Sequence, residues 1–353
     1  MRFSNFLFPE SREPESDARV IAECIAEAQL CDALGVEVLW LAEHHFDGNC
    51  AYVDPTTFAA AVLAATTRLK VGFAVAQVSL HHPVRLAEQI ALLDNLGQGR
   101  LIVGLGRGTA YNVYEYQGYG IDWQEAQARY EEAEAIMLKA WNSPSGFEHK
   151  GKFWDLKAPR LRPACYTTPH PVVLRAASSE EGALHLARRG LPFMMNVQSL
   201  EATRHRLSAY RAELAASGHD EATIARCMDE SWVWRNVVVA ETDAEAARIG
   251  IPAFEAMQQH RREMREKVYA EQGIRMVQEV VPPARVQLDH ALIHGSPATV
   301  AARMAEIDRT GVGGVICSFR LGPMSAEATR ESIRLFMTRV APEFQGGHAA
   351  AAE

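Results

Sequence analysis

No stretch of this chain approaches the ~20 consecutive apolar residues that a membrane-spanning helix needs. The opening residues, MRFSNFLFPES, have neither the basic start nor the apolar run of a secretory leader. A cytoplasmic protein is therefore expected. Positive charge is not in surplus: 36 Lys and Arg stand against 44 Asp and Glu, a formal net charge of -8. That balance excludes a broad surface for nucleic acid or anionic lipid, although a local arginine can still hold a phosphate. The six cysteines (Cys24, Cys31, Cys50, Cys165, Cys227 and Cys317) show no CxxC or zinc spacing, so free thiols are expected and not a disulfide framework. Cys24 and Cys31 lie seven apart and should share the core face of a helix. A nicotinamide fingerprint is also missing. Gly104-Leu105-Gly106-Arg107-Gly108 is followed by Thr109 where a sixth-position glycine would stand, and it does not follow the first strand.

What is present is an ordinary globular composition, 48% hydrophobic and 23% charged over 353 residues, enough for a deep core. Short apolar runs alternate with amphipathic helical patterns throughout, which is the mark of a parallel α/β fold. Strands are expected near Phe3 to Phe8, Val38 to Ala42, Lys70 to Val78, Leu101 to Leu105, Pro171 to Ala176, Leu191 to Asn196, Trp232 to Val239 and Gly313 to Arg320. Helices are expected near Asp17 to Leu34, Pro55 to Thr66, Pro83 to Leu96, Trp123 to Trp141, Ser179 to Arg189, Ser199 to Ala216 and Ala326 to Val340, with an interrupted region after the seventh strand. The count predicts an α/β fold of the (β/α)8 TIM barrel type; an open doubly wound sheet shares the pattern. One barrel domain over 1–345 is expected, with insertions at about 145–160 and 253–291 and a disordered tail at 346–353. Phe147 to Leu156 alternates around a Lys-Gly and reads as a surface hairpin. Ala253 to Ala291 is charge-dense and carries a Pro-Pro break at Pro282 and Pro283; it reads as a mobile lid or as a solvated helical excursion.

Strand two ends in Glu43-His44-His45, at the carboxyl-terminal mouth where barrels keep their chemistry. Neighbouring strand residues face opposite ways, so one histidine should point into the site, where it can serve as a general acid or base; the alternative is that one or both merely hydrogen-bond to backbone. His81-His82-Pro83 follows strand three, but the histidine spacing does not match a metal site, and none is expected. His82-Pro83 reads more simply as a helix start. Glycines after strand four let backbone approach a ligand, and Arg107 offers a fork of donors to a phosphate. Ala177-Ser178-Ser179-Glu180 is a second anion site or an ordinary helix cap. Phe73, Met194, Met195, Trp232 and Trp234 form either a dry pocket wall or core.

Taken jointly, these residues resemble the bacterial-luciferase-like family of flavin-dependent monooxygenases. The likeness is carried by EHHF at Glu43 to Phe46, DPTTFAAAVLAATTRLKVGFAV, HPVRLAEQIALLDNLGQGRLIVGLGRG, PVVLRAASSEEGALHLARRG, and the later GSPATVAARMAEIDRTGVGGVIC and VAPEF. The resemblance implies a (β/α)8 barrel that binds FMN as FMNH2 at its mouth and uses O2, through a C4a-peroxyflavin, to oxygenate a small apolar organic substrate. It implies that His44 is catalytic with His45 in the same polar cluster, and that a non-prolyl cis peptide at Ala74-Val75 lies against the flavin ring. It further implies that Gly106, Arg107, Gly108, Ser178 and Ser179 form the phosphate end, that Met195 and Asn196 lie beside the ring, and that Phe73, Trp232 and Trp234 face substrate. Two departures stand out: Gly106 replaces a cysteine of luciferases proper, and Arg175-Ala176 replaces a Glu-Ser pair. They weaken any expectation of light emission or an aldehyde substrate, and Arg175 would add to phosphate affinity. A separate NAD(P)H:flavin reductase and a homodimer are implied as partners. The competing readings are an F420-dependent hydride-transfer enzyme of the same fold, a non-catalytic flavin-binding relative, and a metal-dependent barrel hydrolase.

Overall fold

Strands buried on both faces must be apolar residue after residue, and the chain's apolar runs obey this rule. The computed structural model describes residues 1–109, 111–143, 145–274 and 285–347. Its first half runs β1 (Arg2–Leu7), α1 (Asp17–Leu34), β2 (Val38–Leu41), α2 (Pro55–Ala65), β3 (Lys70–Phe73), β4 (Ala76–Gln77), α3 (Pro83–Gly97), β5 (Leu101–Gly106), α4 (Val113–Gly118) and α5 (Ala126–Asn142). An antiparallel hairpin follows, β6 (Phe147–Lys150) with β7 (Asp155–Ala158). Then come β8 (Val172–Ala177), α6 (Glu180–Arg188), β9 (Phe193–Met195), α7 (Leu200–Ala216), α8 (Glu221–Glu230) and β10 (Trp232–Val239). The remainder is α9 (Asp243–Glu271), α10 (Leu288–Ala291), β11 (Leu292–Gly295), α11 (Pro297–Asp308), β12 (Gly314–Ser318) and α12 (Ala326–Leu335).

Parallel pairing runs β12-β1-β2-β3-β5-β8-β9 and closes through β9 with β10 and β10 with β12, so the sheet is a (β/α)8 barrel and not an open layer. Its strands are those expected from the sequence, with two differences. The run Lys70 to Val78 is not one strand: it breaks at a cis Ala74-Val75 bond between β3 and β4. β11 was not anticipated; it lies outside the ring, paired with the upper half of β10. The charge-dense region after β10 is not a separate excursion beginning at Ala253. Thr242 caps the backbone N–H of Glu245 and starts one 29-residue helix, α9, well before that point. The Pro282-Pro283 break and residues 348–353 of the tail lie outside the described residues.

Turn chemistry sets the helix starts on the site side of the barrel. Asp54 accepts from the N–H groups of Thr56 and Thr57 with Pro55 at the first position of α2, and Pro83 opens α3 after His82. Two apolar layers result. Phe6, Val38, Trp40, Leu174, Met194, Trp232 and Ile316 fill the barrel interior, where Trp40 and Trp232 meet edge to face at 5.5 Å. Alternate strand residues, among them Leu7, Leu39, Phe73 and Met195, pack outward against the helices together with Cys24 and Cys31. Among the described residues no helix is long and apolar enough to cross a membrane.

Candidate active site

The barrel's interior column of aromatics ends at a cavity of about 680 Å³ at the carboxyl-terminal mouth. Phe6, Phe8, Ala74, Val75 and Trp234 give it an apolar wall, and the Phe6 and Trp234 rings lie 4.6 Å apart. His44, Ala74, Val75, Gly106, Arg107, Gly108, Arg175, Ser178, Ser179, Asn196 and Trp234 all line it. Four other candidates do not. Phe73 and Met195 belong to the outward layer because the strand period puts them on the helix side. Trp232 does face inward, two residues before Trp234, but it is one layer deeper and fully buried with Trp40. His45 is buried in a polar network behind the wall.

That network centres on Glu43. Its Oε1 accepts from Nε2 of His81 at 2.6 Å and Nε2 of His45 at 3.0 Å, and its Oε2 accepts from the Gln77 backbone N–H at 2.7 Å. Burial opposes the charge on Glu43, yet the hydrogen bonds from His45 and His81 outweigh it and hold the carboxyl down at about 2. Nδ1 of His45 accepts from the Tyr119 hydroxyl at 3.2 Å. The two ring nitrogens of His45 are thus both engaged, and the side chain acts as a strut.

His44 sits differently. Its Nδ1 donates to Oε1 of Glu115 at 3.0 Å, the same oxygen that accepts the His45 backbone N–H. Burial disfavours the imidazolium, but the charge and hydrogen bond of Glu115 raise His44 above the usual histidine value. With Nδ1 held, Nε2 has no partner among the described residues and is the nitrogen left for proton exchange with the cavity. Glu115 comes from α4, 71 residues away, and sequence reasoning missed it. The one available signal was an acid set among aromatics in Tyr114-Glu115-Tyr116.

Close packing accounts for the glycines. A Cβ on Gly106 would lie 2.3 Å from Cγ2 of Val75, and Gly108 has φ +94, which glycine alone adopts freely. At the far end, Ser179 Oγ accepts from the Gly182 N–H at 3.1 Å, capping α6 while its own O–H stays available. Arg175 is committed elsewhere: it donates through Nε and Nη2 to Glu134 at 2.8 and 2.5 Å, both side chains buried. Its charge is neutralised in place, so the expected gain in phosphate affinity falls to Arg107.

A reduced FMN fits these residues. The apolar wall suits a ring system, and Arg107, Ser178, Ser179 and the start of α6 suit a phosphate. Three buried atoms on lining side chains, Trp234 Nε1, Gln77 Oε1 and Arg261 Nε, have no hydrogen-bond partner among the described residues and await one from a bound group.

The chain is 30% identical over 237 residues to the alkanal monooxygenase alpha chain of the Kryptophanaron alfredi symbiont, covering 65% of this chain and 63% of that one. It therefore spans less than two thirds of that relative's length. The monooxygenase RslO1 from Streptomyces bottropensis is similar at a TM-score of 0.81 and 26% identity, over 98% of this chain and 100% of that one. The fold is shared with the oxygenating constituent of 3,6-diketocamphane monooxygenase from Pseudomonas putida, in complex with FMN, at a TM-score of 0.76 and 21% identity, over 97% of this chain and 98% of that one. F420-dependent enzymes share the same fold. The model of the luciferase-like monooxygenase family matches residues 1–314, and the chain belongs to that family.

Proposed function

We propose that the protein is an FMNH2-dependent monooxygenase that inserts one oxygen atom from O2 into a small organic substrate. The observation that carries this reading is the placement of His44, fixed by Glu115 and open at Nε2, in one cavity between an apolar wall and an anion end. Reduced FMN, when bound, supplies the two electrons that leave one oxygen atom in the product and one in water. The chain's own residues do the rest. Arg107, Ser178 and Ser179 bind the phosphate; Phe6, Phe8, Val75 and Trp234 exclude water from the reacting atoms. His44 gives or takes a proton at Nε2. His45, Glu43 and His81 hold the strand end that carries His44. FMNH2 comes from a separate NAD(P)H:flavin reductase. Leu92 and Leu96, four apart on α3 and each more than half exposed, support a homodimer.

Anaerobic titration with FMNH2, followed by rapid mixing with O2 while absorbance is recorded, tests the reading. Saturable FMNH2 binding with reoxidation slower than that of free FMNH2 is expected. His44→Ala is expected to keep that binding and lose oxygenated product. Binding of F420 in place of FMNH2 would move the protein to hydride transfer.

A further inference from the structure

Arg261 and Arg265 stand one turn apart on α9, and with Arg285 they line a second cavity of about 950 Å³. The two cavities share Phe8, His44, Tyr111, Arg261 and Arg285, whereas Arg107, Ser178 and Ser179 line only the flavin side and Arg265 only the other. A path from the phosphate end past His44 therefore arrives at these three guanidinium groups, with a fourth, that of the exposed Arg262, on the same wall.

These half-buried arginines lack the counter-ions that enclosed cations require. Among the described residues none of them closes an ion pair, although Asp47, Glu255, Glu263 and Glu266 lie on the same walls. They stack on rings instead: Arg261 over Phe8 at 4.3 Å, Arg265 over Tyr111 at 4.5 Å and Arg285 over Trp234 at 5.8 Å. Stacking fixes the plane of a guanidinium and leaves its in-plane N–H groups to donate; on Arg285 one of them, Nη1, donates to the neutral Tyr111 hydroxyl at 3.2 Å. The Nε atoms of Arg261 and Arg265 are buried with no acceptor. Burial pushes Arg261 below its usual range; Glu10 pulls the other way, and Arg285 adds repulsion. The contrast with Arg175 is direct, since there the chain supplies Glu134 as the counter-ion. A cationic set left open on a cavity is unfavourable until a ligand brings the negative charge. The four wall carboxylates disfavour a multiply charged group such as a phosphate or an oligoglutamate tail, and so favour a single negative charge.

We propose that this cavity receives the carboxylate of an organic acid on Arg261, Arg265 and Arg285, with the apolar or aromatic body of the acid directed toward His44 and Trp234. That this acid is the molecule oxygenated rests on the flavin reading above; the carboxylate site itself does not. The substrate is then an anion with an apolar body, in place of the wholly apolar molecule expected from sequence.

Calorimetric titration of the full chain without flavin, using benzoate and octanoate against benzamide and octanamide, tests this. At least one carboxylate is expected to bind about tenfold more tightly than its neutral amide, as a charge-assisted hydrogen bond requires. Arg261→Gln and Arg265→Gln are each expected to lower that affinity about tenfold. Arg265→Gln is expected to leave FMN affinity unchanged, and Arg261→Lys to recover part of the loss. Circular dichroism checks that each variant is folded; should Arg261→Gln misfold, Arg265→Gln decides. No preference for carboxylate over amide, a preference that survives Arg265→Gln, or loss of FMN or F420 binding in Arg265→Gln would each overturn the proposal. Failure of FMNH2 to bind would sink the flavin reading alone, because carboxylate binding is read without flavin.

Discussion

His44 donates from Nδ1 to a Glu115 carboxylate 3.0 Å away whose side chain has no exposed surface. Burial alone would keep His44 neutral, and Glu115 reverses that direction. Glu115→Gln keeps the shape and removes the charge, so His44 should titrate at lower pH in that variant. The Cε1–H resonance of His44 followed by NMR reads this directly; an unchanged midpoint would show that Glu115 does not set it. A raised folded pKa also stabilises the native state fully below the unfolded value near 6.5, and the contribution fades as pH rises through the folded value. Glu115→Gln should therefore flatten the stability profile on that alkaline side.

Glu43 shows the opposite linkage. Its carboxyl is held at about 2 against an ordinary value of 4.5. The stabilisation is complete above 4.5 and is lost as pH falls toward 2. Removing the charge leaves His45, His81 and the Gln77 N–H facing a weaker acceptor, and breaking a buried pair of this kind costs about 3 kcal/mol. Glu43→Gln should lose roughly that amount in urea unfolding at pH 7 and show a shallower acid limb between those two values. An acid limb identical to that of the unaltered chain would mean that another carboxylate dominates it.

Much of this architecture could be read from sequence, and the failures share a cause. The eight barrel strands announce themselves because parallel strands are apolar in succession, and helix starts such as Asp54-Pro55 and His82-Pro83 carry their own caps. Alternation says that Trp232 and Trp234 share a face, but only the pairing of Trp232 with Met194 and Gly314 shows that Trp232 lies a layer too deep. The resemblance puts Met195 beside the ring, but the register turns Met194 inward and Met195 outward, a parity that the sequence alone does not assign. Glu115 reaches His44 across 71 residues, a contact with no local signature. Arg261 and Arg265 sat within a charge run that reads as a solvated helix face until α9 is laid across the mouth.

Arg107 and Arg175 line the same cavity and should behave differently. Arg175 is already paired with Glu134, whereas Arg107 has no ion-pair partner among the described residues. Arg107→Gln should weaken FMN binding about tenfold or more, since a charge-assisted phosphate contact is lost, and should leave riboflavin binding unchanged because riboflavin has no phosphate. Arg175→Met should instead lower stability by about 3 kcal/mol by removing the buried counter-ion of Glu134, whose other cation, Arg189, is half exposed and 4.0 Å away, and adding Glu134→Leu should restore much of it. Fluorescence titration with both flavins, together with urea unfolding, separates the two arginines. Equal weakening of FMN and riboflavin by Arg107→Gln would remove its phosphate role.

Gly106 tests whether the wall at Val75 is as tightly set as it looks. A Cβ there would approach Cγ2 of Val75 to 2.3 Å and its Cβ to 3.2 Å, so rotating the valine cannot relieve both contacts. Gly106 pairs with Gln77 in β4, and displacing either strand moves the Ala74-Val75 segment that faces the cavity. Overpacking of this kind costs about 1–3 kcal/mol. Gly106→Ala should lose stability in that range and weaken FMN binding, because the apolar wall is displaced with the strand. Val75→Ala removes the γ-carbons, so Gly106→Ala with Val75→Ala should be more stable than the two single losses added together, by about 1 kcal/mol. Additive losses would show that the two residues do not press on each other, and that the glycine is tolerated there for a reason other than Val75.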